Sequence, residues 1–408
     1  MRNVSSTAIV STAGKIAFVV IGVWICVWQK PFFYDEYLYL SNVLSFIQLG
    51  WATDFLMAYK GSAGPVYAVL QAYLLPITDL TPWMVRLVNW VLLGCSVYLL
   101  HQLASKEVKQ YWHSPWQLVL FPMVWVVTGM ALTEMVSLTL FLVSLVALYT
   151  SARQRNIVRQ MAWLLVSAVA MGLAIAGRQT YALGLVVMPL LWRHVYGYFT
   201  WHLSWWLALA AAPMAYLYGV WGGFTAPYDW QKYQSLQRAF AWQHVVIAFG
   251  YIGILEALLS PAILQINQTK WWLLVAAILG FIWAPLAFTP LASWMHTVQV
   301  WIDVVVRLVN GLLFASAWMW LFSKAMYLRD NPFSYGTYFY IGWILLAAIA
   351  CGAITHQFSS RYLLAALPFV GTFMHNHTPQ ETAPWMRWLP LCLPLLGAIS
   401  LLGYYVFK

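Results

Sequence analysis

Polar positions are sparse along this chain, and apolar ones run together. Continuous hydrophobic stretches recur along almost the full length. Many approach the ~20 residues an α-helix needs to cross a bilayer. The runs are continuous rather than alternating, which argues against a transmembrane β-barrel. Thirteen spans are expected, near 13–29, 82–103, 116–130, 132–150, 160–176, 181–192, 202–219, 244–264, 271–290, 308–323, 336–355, 362–374 and 388–406. The expected fold class is therefore an all-α polytopic membrane protein. The first run, Ile16 to Trp28, leads into Gln29, Lys30 and Pro31 with no small-residue cleavage site. It is read as a retained span rather than a signal peptide.

Basic residues orient the spans. With Arg2 and Lys15 inside, alternate connectors carry Lys106 and Lys109; Arg153, Arg155 and Arg159; Arg193; Lys270; Lys324 and Arg329; and Arg387. All fall on the same face, as the positive-inside rule requires. The opposite face receives 30–81, the turn near Glu134, the Gly177-Arg178-Gln179 turn, the 220–243 loop, 291–307 and the turn from His356 to Arg361.

The 30–81 connector has a pattern of its own. Tyr37, Leu38, Leu40, Val43, Leu44 and Ile47 recur at a mostly helical spacing over 37–50. Gly64-Pro65 breaks the chain, and Val66 to Leu75 forms a second amphipathic stretch ending at Pro76. Two juxtamembrane helices in the interface plane are predicted. The 220–243 loop, with Gly222, Gly223, Pro227, Tyr228 and Asp229, is polar and aromatic, suited to covering a site. The expected division is an N-terminal catalytic module over 1–192 and a variable C-terminal module over 193–408, with no separate soluble domain.

Composition sharpens the class. With 63% hydrophobic and 8% charged residues, the chain does not read as a soluble domain. The net charge of +10 lies mostly in short connectors, so it points to topology and not to nucleic acid. Cys26, Cys95, Cys351 and Cys392 lie within or beside apolar runs and form no CxxC. They are read as small packing residues rather than disulfide or zinc ligands. Tryptophans such as Trp201, Trp205, Trp206, Trp271 and Trp272 mark interfacial belts.

Against this background the acidic pair in Phe33-Tyr34-Asp35-Glu36-Tyr37 stands out, because the chain has only 11 acidic residues. Adjacent carboxylates repel and lose hydration at a membrane surface. They read as chemistry: a base, a metal ligand or an ion site. A solvated helix cap near Tyr37 is the plainer alternative. Four further motifs fall on the same face. They are Lys60 before Gly64-Pro65, Thr133-Glu134, Gly177-Arg178-Gln179-Thr180, and Ser359-Ser360-Arg361-Tyr362.

Each has a bland reading too. Glu134 can serve as a helix-dipole partner, and Arg178 and Arg361 as interfacial anchors. Arginines on this face nevertheless run against the positive-inside bias, which favours a specific anion. His356 reads as a hydrogen-bonded polar residue. His375-Asn376-His377 reads as headgroup-level polarity, and Asp303 and Arg307, four apart, as a helical pair.

Carboxylates with cations at a membrane surface suit one reaction well. A sugar on a polyprenyl phosphate has its reacting carbon at the headgroup plane. Transfer needs a carboxylate to take the acceptor hydroxyl's proton, and cations to stabilise charge growing on the departing phosphate.

The motifs resemble the polytopic GT-C glycosyltransferases that use polyprenyl-phosphate sugars. The branch most resembled contains protein O-mannosyltransferases and the lipid A aminoarabinose transferase. The residues that carry the resemblance begin with Tyr34-Asp35-Glu36-Tyr37-Leu38-Tyr39-Leu40, Lys60 with Gly64-Pro65-Val66-Tyr67, and Pro82-Trp83-Met84-Val85-Arg86-Leu87-Val88-Asn89. Thr133-Glu134, Ala176-Gly177-Arg178-Gln179-Thr180 and Phe358-Ser359-Ser360-Arg361-Tyr362-Leu363 continue the order.

The resemblance implies Asp35 as catalytic base, with Glu36 completing the acidic motif, and Lys60 and Arg361 on the donor phosphate. By their place on the same face, Glu134 is expected in the catalytic set and Arg178 on the phosphate, with Tyr34, His356 and Tyr362 in support. A divalent cation, Mg2+ or Mn2+, on Glu36 and Glu134 is left open, and no organic cofactor is expected. The expected partners are a polyprenyl-phosphate sugar donor, a lipid or glycan acceptor in preference to a protein, and membrane lipids. The expected location is a bacterial cytoplasmic membrane, with the site on the extracytoplasmic side. Two rivals stay open here: a transporter or flippase of lipid-linked sugars, and a glycan polymerase or ligase.

Overall fold

The computed structural model describes residues 6–33, 35–61, 63–106, 114–223, 225–227, 240–260, 270–282, 299–330, 334–353, 359–371 and 384–407. Among them the regular structure is helical throughout, as the continuous apolar runs require. In chain order the helices are α1 (Ser6–Val27), α2 (Glu36–Leu49), α3 (Thr53–Ala58), α4 (Val66–Tyr73), α5 (Leu75–Thr78) and α6 (Pro82–Lys106). Then come α7 (Gln117–Leu120), α8 (Pro122–Gly129), α9 (Glu134–Ala152), α10 (Ile157–Gly177), α11 (Gly184–Tyr196) and α12 (Trp201–Trp221). The last five are α13 (Trp242–Leu259), α14 (Lys270–Ile282), α15 (Gln299–Asp330), α16 (Tyr335–Ala350) and α17 (Cys392–Phe407).

Nine segments among the described residues are long and apolar enough to cross a membrane. They account for nine of the expected spans. The others take different forms. Segment 116–130 is two short helices, α7 and α8, broken where extended Phe121 precedes Pro122. Segment 181–192 becomes a short 3-10 turn, Gln179–Leu183, followed by α11. For 271–290, the described part is the thirteen-residue α14. The described part of 362–374 is not a span of regular helix. It is a series of tight 3-10 turns, with Pro368 interrupting the ladder, buried from Leu363 to Val370. Such backbone is tolerated at membrane depth only inside protein, with its polar groups met. Trp343 Nε1 donates to Ala365 O (2.7 Å) and Gln117 Nε2 to Val370 O (3.0 Å).

The two predicted juxtamembrane helices are α2 and α4, and α3 and α5 add short turns to the same connector. Tyr34, His356, His375, His377 and residues 228–239 of the 220–243 loop lie outside the described residues. So does the Asp303 side chain. Arg307 donates to Phe281 O at 3.2 Å.

The architecture is organised around α9. It is apolar almost all round, and about three-quarters of its side chains are buried, which is the pattern of a central helix. α6, α10 and α11 pack against it, and α12 packs on α10. Small hydroxyl residues link these helices. Ser96 bonds to Thr139 (2.9 Å), Ser167 donates to Ser144 O (2.9 Å), and Trp206 Nε1 donates to Ser167 Oγ (3.1 Å). Because α9 begins at Glu134, its position brings that carboxylate to the middle of one end of the bundle.

Other element ends meet there. Tyr405, near the end of α17, donates to Gly129 O (2.7 Å), and Lys30 reaches Tyr405 O. Gly64 N donates to Gly177 O (2.9 Å), where α10 stops.

A second polar cluster lies between α13 and α15. Glu256 accepts from Lys324 Nζ (2.6 Å) and from Trp320 Nε1 (2.8 Å), and the ion pair is almost wholly buried. The basic-residue count treats Lys324 as a connector charge. In the structure it lies within the spanning segment Val304–Asp330, neutralised by a carboxylate on the neighbouring helix. Close approach of the two helices needs Gly253, where a side-chain carbon would come within 2.1 Å of Ser316 O.

Breaking one partner of a buried pair leaves an uncompensated charge, at a cost of ~3–5 kcal/mol. Lys324→Met alone should therefore lower the thermal midpoint in detergent sharply. The double variant Glu256→Gln, Lys324→Met should recover most of the loss. Thermal melts of the four proteins check this, and equal losses in the single and double variants would refute it.

Candidate functional site

The adjacent carboxylates Asp35 and Glu36 part company at the start of α2. The Glu36 side chain is fully buried and meets Arg86, one turn into α6. Arg86 Nε donates to Glu36 Oε1 (2.9 Å) and Nη2 to Oε2 (2.7 Å), a bidentate pair. Phe33 N (2.9 Å) and Ala131 N (2.7 Å) donate to the same carboxylate. The rest of the guanidinium binds Lys30 O (2.7 Å) and Pro31 O (2.9 Å), and it lies over the rings of Phe33 and Tyr405. One turn along α6, Asn89 Nδ2 donates to Val127 O, Met130 O and Leu132 O (3.2, 2.9 and 2.9 Å). One face of α6 thus fixes both the segment leading to Asp35 and the segment leading to Glu134.

Asp35 turns the other way. Its Oδ2 accepts from Arg361 Nη1 at 2.7 Å, and the side chain stays 27% exposed. Arg361 Nε lies 3.6 Å from Glu134 Oε1, and Arg178 Nη2 pairs with that same oxygen. The order is Asp35, Arg361, Glu134, Arg178: alternating charges from four separate parts of the chain. Asp35 precedes α2, Glu134 opens α9, Arg178 follows α10, and Arg361 comes from the tight turn before the buried segment.

Arg178 is aimed by a backbone crossing. At Gly64 a side-chain carbon would come within 1.6 Å of Ala176 O, and at Gly177 within 2.4 Å of Ser137 Oγ. Glycine at 64 is required for the outer connector to meet the backbone of α10 so closely. Arg178 then leaves the helix in extended conformation toward Glu134.

A recess opens at the cluster, lined by Glu134, Arg178, Thr180, Tyr181, Arg361 and Tyr362 among others. It is small, about 20 Å³, and partly open to solvent. Tyr362 lies against Arg361, its ring centre 5.5 Å from the guanidinium carbon. Tyr39, buried on α2, belongs to the same field. Burial pushes its hydroxyl up to about 12, while Arg178 and Arg361 pull the other way. Burial likewise opposes the charge of Arg361, yet the surrounding oxygens hold its pKa well above the ordinary arginine value.

The sequence-predicted set therefore divides. Asp35, Glu134, Arg178, Arg361 and Tyr362 come together. Glu36 is placed apart, with both oxygens occupied by Arg86 and backbone N–H groups. Lys60 is held through its backbone by Asn42, and its side chain is exposed. Among the described residues no ion pair joins Lys60 to the cluster. A divalent cation on Glu36 and Glu134 does not fit this arrangement. Four hydrogen bonds fill Glu36, which leaves it no lone pair to share a cation with Glu134. Among the described residues, no three His, Cys, Asp or Glu side chains group to hold a metal.

Sequence reasoning gave Arg86, Asn89 and Tyr39 no role. The available signal was Arg86 and Asn89, three apart in an apolar run, which places two polar side chains on one helix face.

Glu36→Gln leaves Arg86 charged and buried without its counter-ion, at a cost of ~3–5 kcal/mol. Asp35→Asn alters a partly exposed pair, expected to be worth about 1 kcal/mol or less. Thermal melts in detergent should thus separate the neighbours, with a large drop for Glu36→Gln and little change for Asp35→Asn. Equal midpoints would dissociate Glu36 from the scaffold.

No family model matches the chain, and no curated protein matches it. Among solved structures it is similar to ArnT from Cupriavidus metallidurans bound to undecaprenyl phosphate, with 14% identity over 98% of this chain and 79% of that one and a TM-score of 0.41. Against ArnT from the same organism in the apo state, the values are 14%, 96%, 78% and 0.36.

Proposed function

We propose that this protein is an integral-membrane glycosyltransferase. It moves a sugar from a polyprenyl phosphate to an acceptor hydroxyl, with Asp35 as base. The observation that carries the reading is the juxtaposition of a part-exposed carboxylate with two largely buried arginines at one end of an apolar bundle. A base must meet solvent or acceptor, whereas charge developing on a leaving phosphate is best met by preorganised cations away from water. Asp35 and the pair Arg178 and Arg361 satisfy those opposite demands within one cluster.

In this mechanism the acceptor oxygen attacks the anomeric carbon as its proton passes to an Asp35 oxygen. The bond from that carbon to the phosphate oxygen breaks, and the electron pair leaves with the polyprenyl phosphate. Attack opposite the phosphate inverts the anomeric centre. Arg361, which pairs with Asp35, also lines the recess, where it supplies a cation for the phosphate. The acceptor in this reading is a lipid or glycan hydroxyl. The cluster faces the extracytoplasmic side of a bacterial cytoplasmic membrane. A transporter would need its carboxylates near the bilayer midplane. Asp35 and Glu134 lie instead at element ends, which favours surface chemistry.

Asp35→Asn should abolish sugar transfer in proteoliposomes supplied with a panel of polyprenyl-phosphate sugars, while donor binding persists. Wild-type turnover by that variant would falsify the base assignment. Arg361→Ala should raise the barrier by on the order of 2–4 kcal/mol, the usual cost of losing one preorganised donor. Arg361→Lys should restore part of the rate, since lysine lacks the planar fork. Arg307→Ala, on an exposed arginine, serves as the control. Kinetics with limiting donor decide the matter, and equal values for all four proteins would remove Arg361 from the reaction.

Orientation is tested separately. In a cysteine-free background, a cysteine at exposed Trp51 should react with an impermeant maleimide in intact cells, and one at exposed Arg155 should not. The reverse pattern would put the site on the cytoplasmic face.

A further inference from the structure

Glu134 is only half used by the cluster. Its Oε1 faces both Arg178 and Arg361, but Oε2 is buried and accepts no hydrogen bond. The side chain is 5% exposed and lines the recess. A buried carboxylate oxygen without a donor is costly, and in a folded protein it asks for an explanation. Arg178 Nε and Arg361 Nε share the condition, being buried with no hydrogen-bond acceptor, as are the hydroxyls of Thr133 and Ser137 on either side of Glu134 in the chain.

The carboxylate and the guanidinium groups have opposite polarity. An ionised phosphate offers only acceptors, so it can satisfy the two guanidinium N–H groups and not Glu134. A hydroxyl can donate to Glu134. A ligand that completes the recess therefore carries an anionic group and a hydroxyl close together, which is the chemistry of a glycosyl phosphate. We propose that Glu134 Oε2 accepts a hydrogen bond from a hydroxyl of the sugar borne by the donor, and that Glu134 is a specificity-determining residue. The assignment rests on the glycosyltransferase reading. It gives Glu134 a binding role distinct from the proton transfer assigned to Asp35.

Glutamine suits the test. Its carbonyl can still accept from Arg178, while its amide can only donate to a hydroxyl oxygen, a weaker neutral bond in place of a charge-assisted one. The full chain in nanodiscs would be titrated with polyprenyl phosphate alone. It would then be titrated with polyprenyl phosphates of mannose, glucose, galactose, N-acetylglucosamine and arabinose. Finally, the tightest of these would be compared with its singly deoxygenated analogues.

In the wild type, removal of one particular hydroxyl should weaken binding about tenfold or more, as expected when a buried polar group loses its partner. In Glu134→Gln the same removal should cost several-fold less than in the wild type, whatever the absolute affinity, because a neutral amide bond replaces a charge-assisted one. An equal loss in both proteins at every position would overturn the assignment. So would a wild type that binds polyprenyl phosphate but ignores every deoxygenation, and that outcome would leave the glycosyltransferase reading standing. A wild type that binds no polyprenyl phosphate would overturn both. Should Glu134→Gln fail to fold, Glu134→Asp retains the charge but draws the oxygen back by one methylene. The hydroxyl effect should then shrink, and an unchanged effect would count against Glu134.

Discussion

The buried pair between Glu36 and Arg86 is the constraint on which the rest of the site depends. Its Coulombic attraction alone would not justify two charges in an apolar bundle, because desolvation offsets most of it. What the pair gains is geometry. Each Glu36 oxygen takes two donors, and Arg86 also holds two backbone carbonyls of the preceding turn. The backbone on either side of Asp35 is therefore tied to α6 and to the loop before α9. Asp35 can remain partly exposed because its neighbour is not.

This division of labour shows what a sequence can and cannot disclose. Hydrophobic run length made most spans legible, and helical spacing over 37–50 made α2 legible, since both are local properties. Charge repulsion marked Asp35 and Glu36 as significant. It could not tell them apart, because their roles depend on which face of the first turn meets α6. The one-sided distribution of Glu134, Arg178 and Arg361 was visible once the spans were numbered. Their pairing needed the tertiary fold.

The misread elements fail for physical reasons. Apolar composition made 362–374 look like a span, yet Pro368 breaks the ladder and side chains of other helices meet the freed carbonyls. Lys324 looked like a connector charge because lysines usually mark connectors, and its partner Glu256 lies 68 residues away in sequence. Both cases concern polar groups satisfied at long range, where local pattern carries little information.

The crossing of Gly64 over Ala176 and Gly177 has a consequence for engineering and for exchange of segments between proteins. The connector and the end of α10 share a hydrogen bond, with no room for a side chain between them. They form a matched joint even though more than a hundred residues separate them. A chimera that swaps the 30–81 connector alone would set a foreign backbone against this helix end and misdirect Arg178. Transplanting residues 176–178 together with the connector keeps the joint whole. The smallest portable unit is therefore discontinuous in sequence.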